Sequence, residues 1–353
     1  MSGVLSRATR RAAQVQIRHV SVVPRGAAEG LVDQVYAQLE RDFGLFAPPV
    51  VLHSAVPEAL AACWSMLRET LVAAGRVDRA AKEVVASAVS LGNSCPYCVD
   101  VHGAALHALA GGRDAAAVAG DRLGSIGDPR LREIAAWARN GKAPGAPIPP
   151  EQAAELLGVA ITFHYLNRMV NVFLGESPFP PGTPAVLRGG LRRLAGRLLR
   201  RSVGRGPAPG ASLELLSAAR LPDDLAWAAG SPNIADSLAR AAAAFETVGV
   251  RTVPEAVREL VLVRLADWTG EPPGLSRSWA ADAARALPGA DRPAGRLALL
   301  TAMASYQVDE SVIAAFRSGG ADDAALVGLT SWASFAAARR TAARPGTGAA
   351  PGS

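Results

Sequence analysis

The chain of 353 residues is half hydrophobic and 19% charged, which supplies enough apolar surface for a buried core and argues against disorder. Aromatic residues make up only 5%, which disfavours a β-sandwich, and three cysteines are too few for a disulfide-stapled secreted scaffold. The net charge is +6. Residues 1–26 and 186–206 carry +5 and +7 and no acidic residue, so the rest of the chain carries −6, and we expect no nucleic-acid-binding face. No apolar run reaches the ~18 residues of a membrane-spanning helix.

Apolar residues recur with helical spacing through most of the chain, and no stretch shows the period-two alternation that marks a strand. The pattern predicts helices over residues 31–43, 57–75, 79–92, 95–111, 128–140 and 150–175. Asp78 is the expected cap of the third helix and Ser94 of the fourth. A proline-rich stretch at 178–184 then interrupts the pattern. We therefore predict an all-α fold.

Two parts of the chain resemble each other at an offset of about 176 residues. In each part an acidic residue opens an apolar helix, a proline starts an Ala-rich helix about 26 residues earlier, and a long apolar helix follows later. The matched landmarks are Glu83 and Glu259, Pro57 and Pro232, and the segments 150–175 and 321–341. We therefore predict two tandem divergent copies of one helical unit.

These features divide the chain into five parts. The predicted parts are a flexible basic arm (1–26), an active helical domain (27–180), an Arg-rich linker or helix (181–210), a degenerate second repeat (211–342) and a disordered tail (343–353). The leucine stripe of the linker favours internal packing over contact with an anionic membrane. The arm resembles a transit peptide, but 35 of the 37 basic residues are Arg, a bias that coding composition explains more simply. We expect a cytoplasmic protein.

The sharpest local signal is Cys95-Pro96-Tyr97-Cys98, followed four residues later by His102. Cysteines at positions i and i+3 share one helical face and can close a disulfide with little backbone movement. The start of a helix also stabilises thiolate over thiol. His102 is one turn beyond Cys98 on the same face, where it can accept the thiol proton.

Glu83 is the expected partner of His102. In an antiparallel helix pair joined at residues 92–94, the two residues lie about 13 and 10 Å from the turn at 1.5 Å per residue. A carboxylate and an imidazole at similar depth on facing helices can form a hydrogen bond, directly or through one water. This arrangement predicts a proton relay from Cys98 through His102 to Glu83.

Simpler interpretations exist for each of these residues. The two cysteines and His102 could bind a structural zinc ion with Cys63 as fourth ligand. Cys63 is more simply a buried small hydrophobic residue, and His107 and His164 are expected to cap or pack. Haem attachment is excluded because Val99, not histidine, follows the second cysteine. A thioredoxin-like site is disfavoured because the sequence has no βαβ pattern.

The joint spacing of the glutamate, the two cysteines and the histidine, with eleven, two and three residues between them, resembles the active-site signature of alkyl hydroperoxidase D-like proteins. These belong to the broader carboxymuconolactone decarboxylase family. The segment 167–171 is similar to the one that closes that family's domain. The resemblance covers residues 55–175 well and residues 230–340 only in outline.

The resemblance implies a role for each residue of the motif. Cys98 would be the peroxidatic thiol, Cys95 the resolving thiol, His102 the base and Glu83 its relay partner. Better-known peroxidases of this group carry a second histidine where this chain has Tyr97, which could still donate a hydrogen bond.

The same resemblance implies an all-helical homo-oligomer that needs no metal or cofactor. Its substrate would be a hydroperoxide, and its reductant an external thiol or a lipoyl-type dithiol. The decarboxylase branch of the family lacks the cysteine pair, so its lyase activity is not implied for this chain.

The second copy lacks the motif. Twelve residues after Glu259 the chain has Glu271 in place of a cysteine, and Gly274 and Ser278 stand at the next two motif positions. The second copy is therefore expected to be structural, and it could replace a second subunit.

The sequence thus predicts a dithiol oxidoreductase that reduces hydroperoxides. Two alternatives stay open: a redox-sensing oligomer without significant turnover, and a zinc-stabilised helical module.

Overall fold

A computed structural model describes residues 10, 13–140, 148–178, 206–271 and 273–342. Within these ranges the chain is helical and contains no strand, which confirms the predicted all-α class. The helices of the first half are α1 (Gly30–Gln38), α2 (Pro48–Val51), α3 (Pro57–Leu67), α4 (Arg79–Gly92), α5 (Pro96–Ala110), α6 (Gly112–Ala119), α7 (Pro129–Asn140) and α8 (Pro150–Phe173). Those of the second half are α9 (Pro232–Thr252), α10 (Glu255–Ala266), α11 (Ser278–Ala284), α12 (Arg292–Ala304), α13 (Glu310–Arg317) and α14 (Asp323–Ala342). The predictions for residues 1–9, the Arg-rich stretch up to residue 205 and the tail 343–353 lie outside the described residues.

None of the helices in the described part of the chain combines the length and apolarity needed to cross a bilayer.

Some helix boundaries follow the local sequence signals. The carboxylate of Asp78 accepts a hydrogen bond from the backbone N–H of Ala81 and caps α4, as predicted. Ser94 does not cap α5, because its positive φ of 52° places it in the preceding turn and Cys95 is the residue before the helix. The predicted helices 31–43 and 57–75 are each an α-helix extended by one wider turn, over Leu39–Phe43 and Arg68–Val72.

Helix α4 lies at the centre of the first half. It packs against α5, α7 and α8, and every residue from Ala81 to Ser90 is buried. Helix α5 runs back along α4 after a short turn, so the two form the antiparallel pair that the sequence predicts. This packing removes both faces of α4 from water, the face that carries Glu83 included.

Two helices of the first predicted copy lie against their counterparts in the second copy. Helix α3 packs against its counterpart α9, and α8 packs against its counterpart α14. The contacts are compatible with two copies of one unit. The copies differ at α10, the counterpart of α4, which buries only Val257, Val261 and Leu265.

Residues 13–26 of the predicted arm pack across both halves. Ala13 and Ile17 are buried. The backbone N–H of Arg18 donates to the Phe173 carbonyl oxygen at the end of α8 (2.8 Å), and that of Ser21 donates to the Asp323 carboxylate at the start of α14 (2.7 Å). This part of the arm therefore joins the ends of the two counterpart helices, and the flexibility predicted for the whole arm stays a prediction.

A fully buried histidine lies in the core between the halves. His53 Nδ1 is 3.0 Å from the Val50 carbonyl oxygen, and His53 Nε2 is 2.6 Å from the hydroxyl of Tyr165. Burial lowers the pKa of His53 from 6.5 to about 4, although its hydrogen bond to Val50 acts in the opposite direction. The folded protein thus keeps this ring neutral at a pH where the unfolded chain protonates it.

This difference predicts a pH-dependent loss of stability. Between pH 6.5 and pH 4 the unfolded state binds one more proton at His53, so lowering the pH favours unfolding by about 3 kcal/mol over this range. Urea unfolding at a series of pH values should show this decline in the wild type and a shallower one in His53→Gln. The half-buried His107 is the control position, and His107→Gln should keep the wild-type slope. Equal slopes for the wild type and His53→Gln would contradict the prediction.

Candidate functional site

The four residues of the predicted motif lie together on the α4–α5 pair. Cys95 directly precedes α5, Cys98 and His102 lie on its first two turns, and Glu83 lies on the facing side of α4. The turn between the helices is closed by a hydrogen bond from the backbone N–H of Cys95 to the carbonyl oxygen of Ser90 (2.9 Å). This tight connection brings the positions into the register that their spacing predicts.

Glu83 and His102 are in direct contact. The Glu83 Oε2 atom lies 2.7 Å from His102 Nδ1, without an intervening water. The other carboxylate oxygen accepts a hydrogen bond from Arg79 Nε, one turn earlier on α4 (2.7 Å). The His102 ring also forms a T-shaped contact with Phe163 of α8, with ring centroids 4.5 Å apart. The imidazole is therefore held on two sides.

The two neighbours of Glu83 keep it ionised although it is completely buried. Burial raises the pKa of a carboxyl group, but Arg79 and His102 together outweigh this effect, and the pKa of Glu83 falls below its usual value. The carboxylate can therefore face His102 as an anion at neutral pH.

The two sulfurs of the motif are adjacent. Cys95 Sγ lies 2.7 Å from Cys98 Sγ, and both cysteines are free thiols. Their exposed fractions are 1% for Cys95 and 4% for Cys98. Burial and the neighbouring Cys98 raise the pKa of Cys95, whereas hydrogen bonds from the backbone N–H of Cys98 and the Asn167 side chain act in the opposite direction.

Asn167 also belongs to the site, although it was not among the predicted catalytic residues. This fully buried amide donates a hydrogen bond to Ser90 Oγ (3.0 Å) and accepts one from Asn93 Nδ2 (2.9 Å), in addition to its contact with Cys95. Asn171, one turn later on α8, donates to the Asn93 carbonyl oxygen (3.1 Å). Helix α8 therefore holds the turn that presents the cysteines, and the segment 167–171 noted in the sequence carried the signal.

Tyr97 contacts the arm. Its hydroxyl donates a hydrogen bond to Gln16 Oε1 (2.8 Å), and burial raises the pKa of Tyr97, so the hydroxyl stays protonated. Tyr97 therefore donates a hydrogen bond, with Gln16 of the arm as its acceptor, and its supporting role in the site stays a prediction.

The remaining predicted positions have structural surroundings. Cys63 is fully buried with its Sγ 4.0 Å from the Pro49 carbonyl oxygen, and burial raises the pKa of this thiol. His164 packs against Asn93, with the ring Nδ1 and the amide nitrogen 3.1 Å apart. Within the described ranges, no three His, Cys, Asp or Glu side chains are grouped so as to hold a metal ion. The ligand set of the zinc alternative is thus not assembled there.

The residues of the second half that correspond to the four motif positions are not buried. Glu259, Glu271, Gly274 and Ser278 are all exposed. This half therefore contributes no second dithiol site.

Comparisons with known proteins agree with the geometry. The sequence profile of the carboxymuconolactone decarboxylase family matches residues 57–140, which include α3 to α7 and all four motif residues. A protein of Mycobacterium tuberculosis (strain H37Rv) named alkyl hydroperoxide reductase Rv2159c is 39% identical over 326 residues, which cover 92% of this chain and 93% of that protein. No solved structure matches the chain. Because the similarity extends over nearly the whole length of both proteins, this chain belongs to the carboxymuconolactone decarboxylase family.

Proposed function

We propose that this protein is a dithiol oxidoreductase that reduces hydroperoxides. Cys98 is the attacking thiol, Cys95 the resolving thiol, His102 the base, and Glu83 the residue that positions the base. The observation that carries the proposal is the buried Glu83–His102 hydrogen bond on the same helix pair as two adjacent free thiols. The name of the mycobacterial relative supports the same reaction class.

The carboxylate of Glu83 selects the proton position on His102. A carboxylate accepts a hydrogen bond, so the Nδ1 atom facing it carries the ring proton. The Nε2 atom then keeps its lone pair and can accept a proton. Once His102 is protonated, the negative charge of Glu83 stabilises the imidazolium.

The position of Cys95 at the start of α5 opposes part of the effect of burial on its pKa. Cys95 precedes the first residue of the helix and Cys98 is its third residue, so both lie at the positive end of the helix dipole, and the backbone N–H of Cys98 donates to the Cys95 sulfur. Such surroundings stabilise a thiolate and counteract the cost of burial. Burial in turn leaves the thiolate poorly hydrated and more reactive once a peroxide reaches it.

The reaction then balances as a two-electron exchange. The Cys98 thiolate attacks one peroxide oxygen, the O–O bond breaks, and the alkoxide leaves as an alcohol after it takes the proton held by His102. The resulting sulfenic acid is attacked by Cys95, which forms the Cys95–Cys98 disulfide and releases water. An external thiol or lipoyl-type dithiol reduces the disulfide by exchange.

We further propose that the protein works as a homo-oligomer.

Thiol counting after oxidation tests this proposal. The reduced protein has three cysteines, and stopped-flow addition of one equivalent of an alkyl hydroperoxide should leave one thiol and produce one equivalent of alcohol. Addition of a dithiol should restore three thiols and allow further turnover. Three remaining thiols would contradict the proposal. Loss of two thiols without turnover by any dithiol reductant would instead favour the redox-sensing alternative.

A further inference from the structure

A cavity of about 310 Å³ opens in the second half of the protein. Helices α9, α10 and α14 form its walls, and none of its lining residues belongs to the dithiol site. Its interior is apolar, with Phe245, Trp332 and Phe335 on one side and Leu262 and Leu265 of α10 on the other. The three aromatic residues are themselves almost completely buried.

The difference between the two halves accounts for this opening. In the first half, α5 and α7 cover α4. In the second half, α10 packs against α12 and α14, and Leu262 and Val263 remain 54% and 66% exposed. Exposed neighbouring apolar side chains beside a cavity are typical of a binding surface.

Among the residues that the structure describes, the rim of the cavity carries one cation without a carboxylate partner. Arg339 forms a two-pronged ion pair with Asp224, and Glu246 accepts hydrogen bonds from Arg258 and Trp332. These charges are therefore compensated.

Arg340 differs from its neighbour. Its only hydrogen bond within the described residues is to the carbonyl oxygen of Ala266, and its Nε atom is shielded from solvent and unpartnered. A ligand cannot reach this Nε atom, but the half-buried Arg340 lines the cavity without a carboxylate partner among the described residues, and the terminal N–H groups of its guanidinium are suitable donors to an anionic group.

We propose that this cavity binds a single-chain carboxylate, with its hydrocarbon tail against the aromatic wall and its head group on Arg340. An apolar cavity of about 150 Å³ is known to hold one benzene ring, so the volume here suits an apolar group of roughly a dozen heavy atoms. A medium-chain fatty acid has this size and one negative charge. The site is independent of the thiol chemistry proposed above.

Calorimetric titration of the reduced full-length protein with decanoate tests the proposal. Decanoate is expected to bind with one site per chain, and decanol, which has the same tail without the charge, about tenfold more weakly or worse. Arg340→Met should weaken decanoate by a similar factor and leave decanol unchanged. Leu262→Glu should weaken both ligands, and Leu275→Ser, at a fully exposed position outside the cavity, should weaken neither.

Three results would overturn the proposal. The first is the absence of decanoate binding, and the second is equal affinity for decanoate and decanol. The third is an oligomer that dissociates in Leu262→Glu but is insensitive to decanoate, which would assign this face to a second copy of the chain. Circular dichroism of each variant verifies that the helical fold is retained.

Discussion

Replacement of Cys98 by serine is expected to abolish hydroperoxide reduction, with a loss of at least about 10³-fold in turnover. A serine hydroxyl is not ionised near neutral pH, and the proposed reaction needs an anionic nucleophile at this position. The measurement is steady-state consumption of an alkyl hydroperoxide in the presence of a dithiol reductant. Unchanged consumption by Cys98→Ser would disprove the role given to Cys98.

The other two cysteines supply the matched variants. Cys95→Ser should still consume one equivalent of hydroperoxide and then stop, with a sulfenic acid on Cys98 that mass spectrometry can detect after trapping. Cys63→Ser should keep full turnover, because Cys63 lies buried against Pro49 and contacts neither sulfur of the pair. Full turnover in Cys95→Ser would show that the resolving thiol is another group.

Replacement of Glu83 by glutamine is expected to have the second largest effect. The amide keeps the size of the side chain but removes the charge that faces Arg79 and His102. We expect turnover to fall by about 10²–10⁴-fold, the range typical of an impaired general base. Loss of the anion also leaves Arg79, whose side chain is 12% exposed, without its counter-charge, at a cost of up to about 3 kcal/mol in the free energy of unfolding.

The stability part of this effect has a defined pH dependence. The pKa of Glu83 is lower in the folded protein than in the unfolded chain, where it is near 4.3. The contribution of Glu83 to the free energy of unfolding is therefore fully present above the unfolded-state pKa and is lost as the pH falls through the folded-state pKa. The unfolding free energies of the wild type and Glu83→Gln should therefore differ at pH 7 and converge in acid. Glu259→Gln, at the exposed counterpart position, should match the wild type throughout.

Rate measurements on folded protein separate positioning from mere stability. At pH 7, turnover by Glu83→Gln that circular dichroism shows to be folded should stay low, because the amide lacks the charge that faces His102. A purely structural loss would disappear once the rate is expressed per folded molecule. A Glu83→Gln variant with wild-type rate and stability at pH 7 would remove Glu83 from the mechanism.

Much of the site was predictable because its geometry is local. The i, i+3 and i+4 relations of Cys95, Cys98 and His102 define one helical face, and a short turn places Glu83 at a similar depth on the neighbouring helix. The Arg79–Glu83 ion pair follows the same i, i+4 rule and was available as a signal. The capping of α4 by Asp78 was likewise readable.

Other features depend on segments that are distant in sequence. Asn167 contacts the cysteine turn from 72 or more residues away, and Gln16 reaches Tyr97 over 81 residues. For Asn167 the signal in the sequence was the resemblance of segment 167–171 to the segment that closes the family's domain, and for Gln16 the local spacing indicates no such contacts. They arise from the way α8 and the arm cross the α4–α5 pair.

The order of residues along the chain is sufficient to specify an all-helical protein and the face on which the glutamate, thiols and histidine meet, because helix periodicity and one short turn act over a few residues. The packing of remote helices settles the rest: whether the carboxylate is buried and ionised, which amide supports the sulfurs, and that α10 is left partly uncovered. These outcomes are set by the burial of apolar surface across the whole core, which no local spacing encodes.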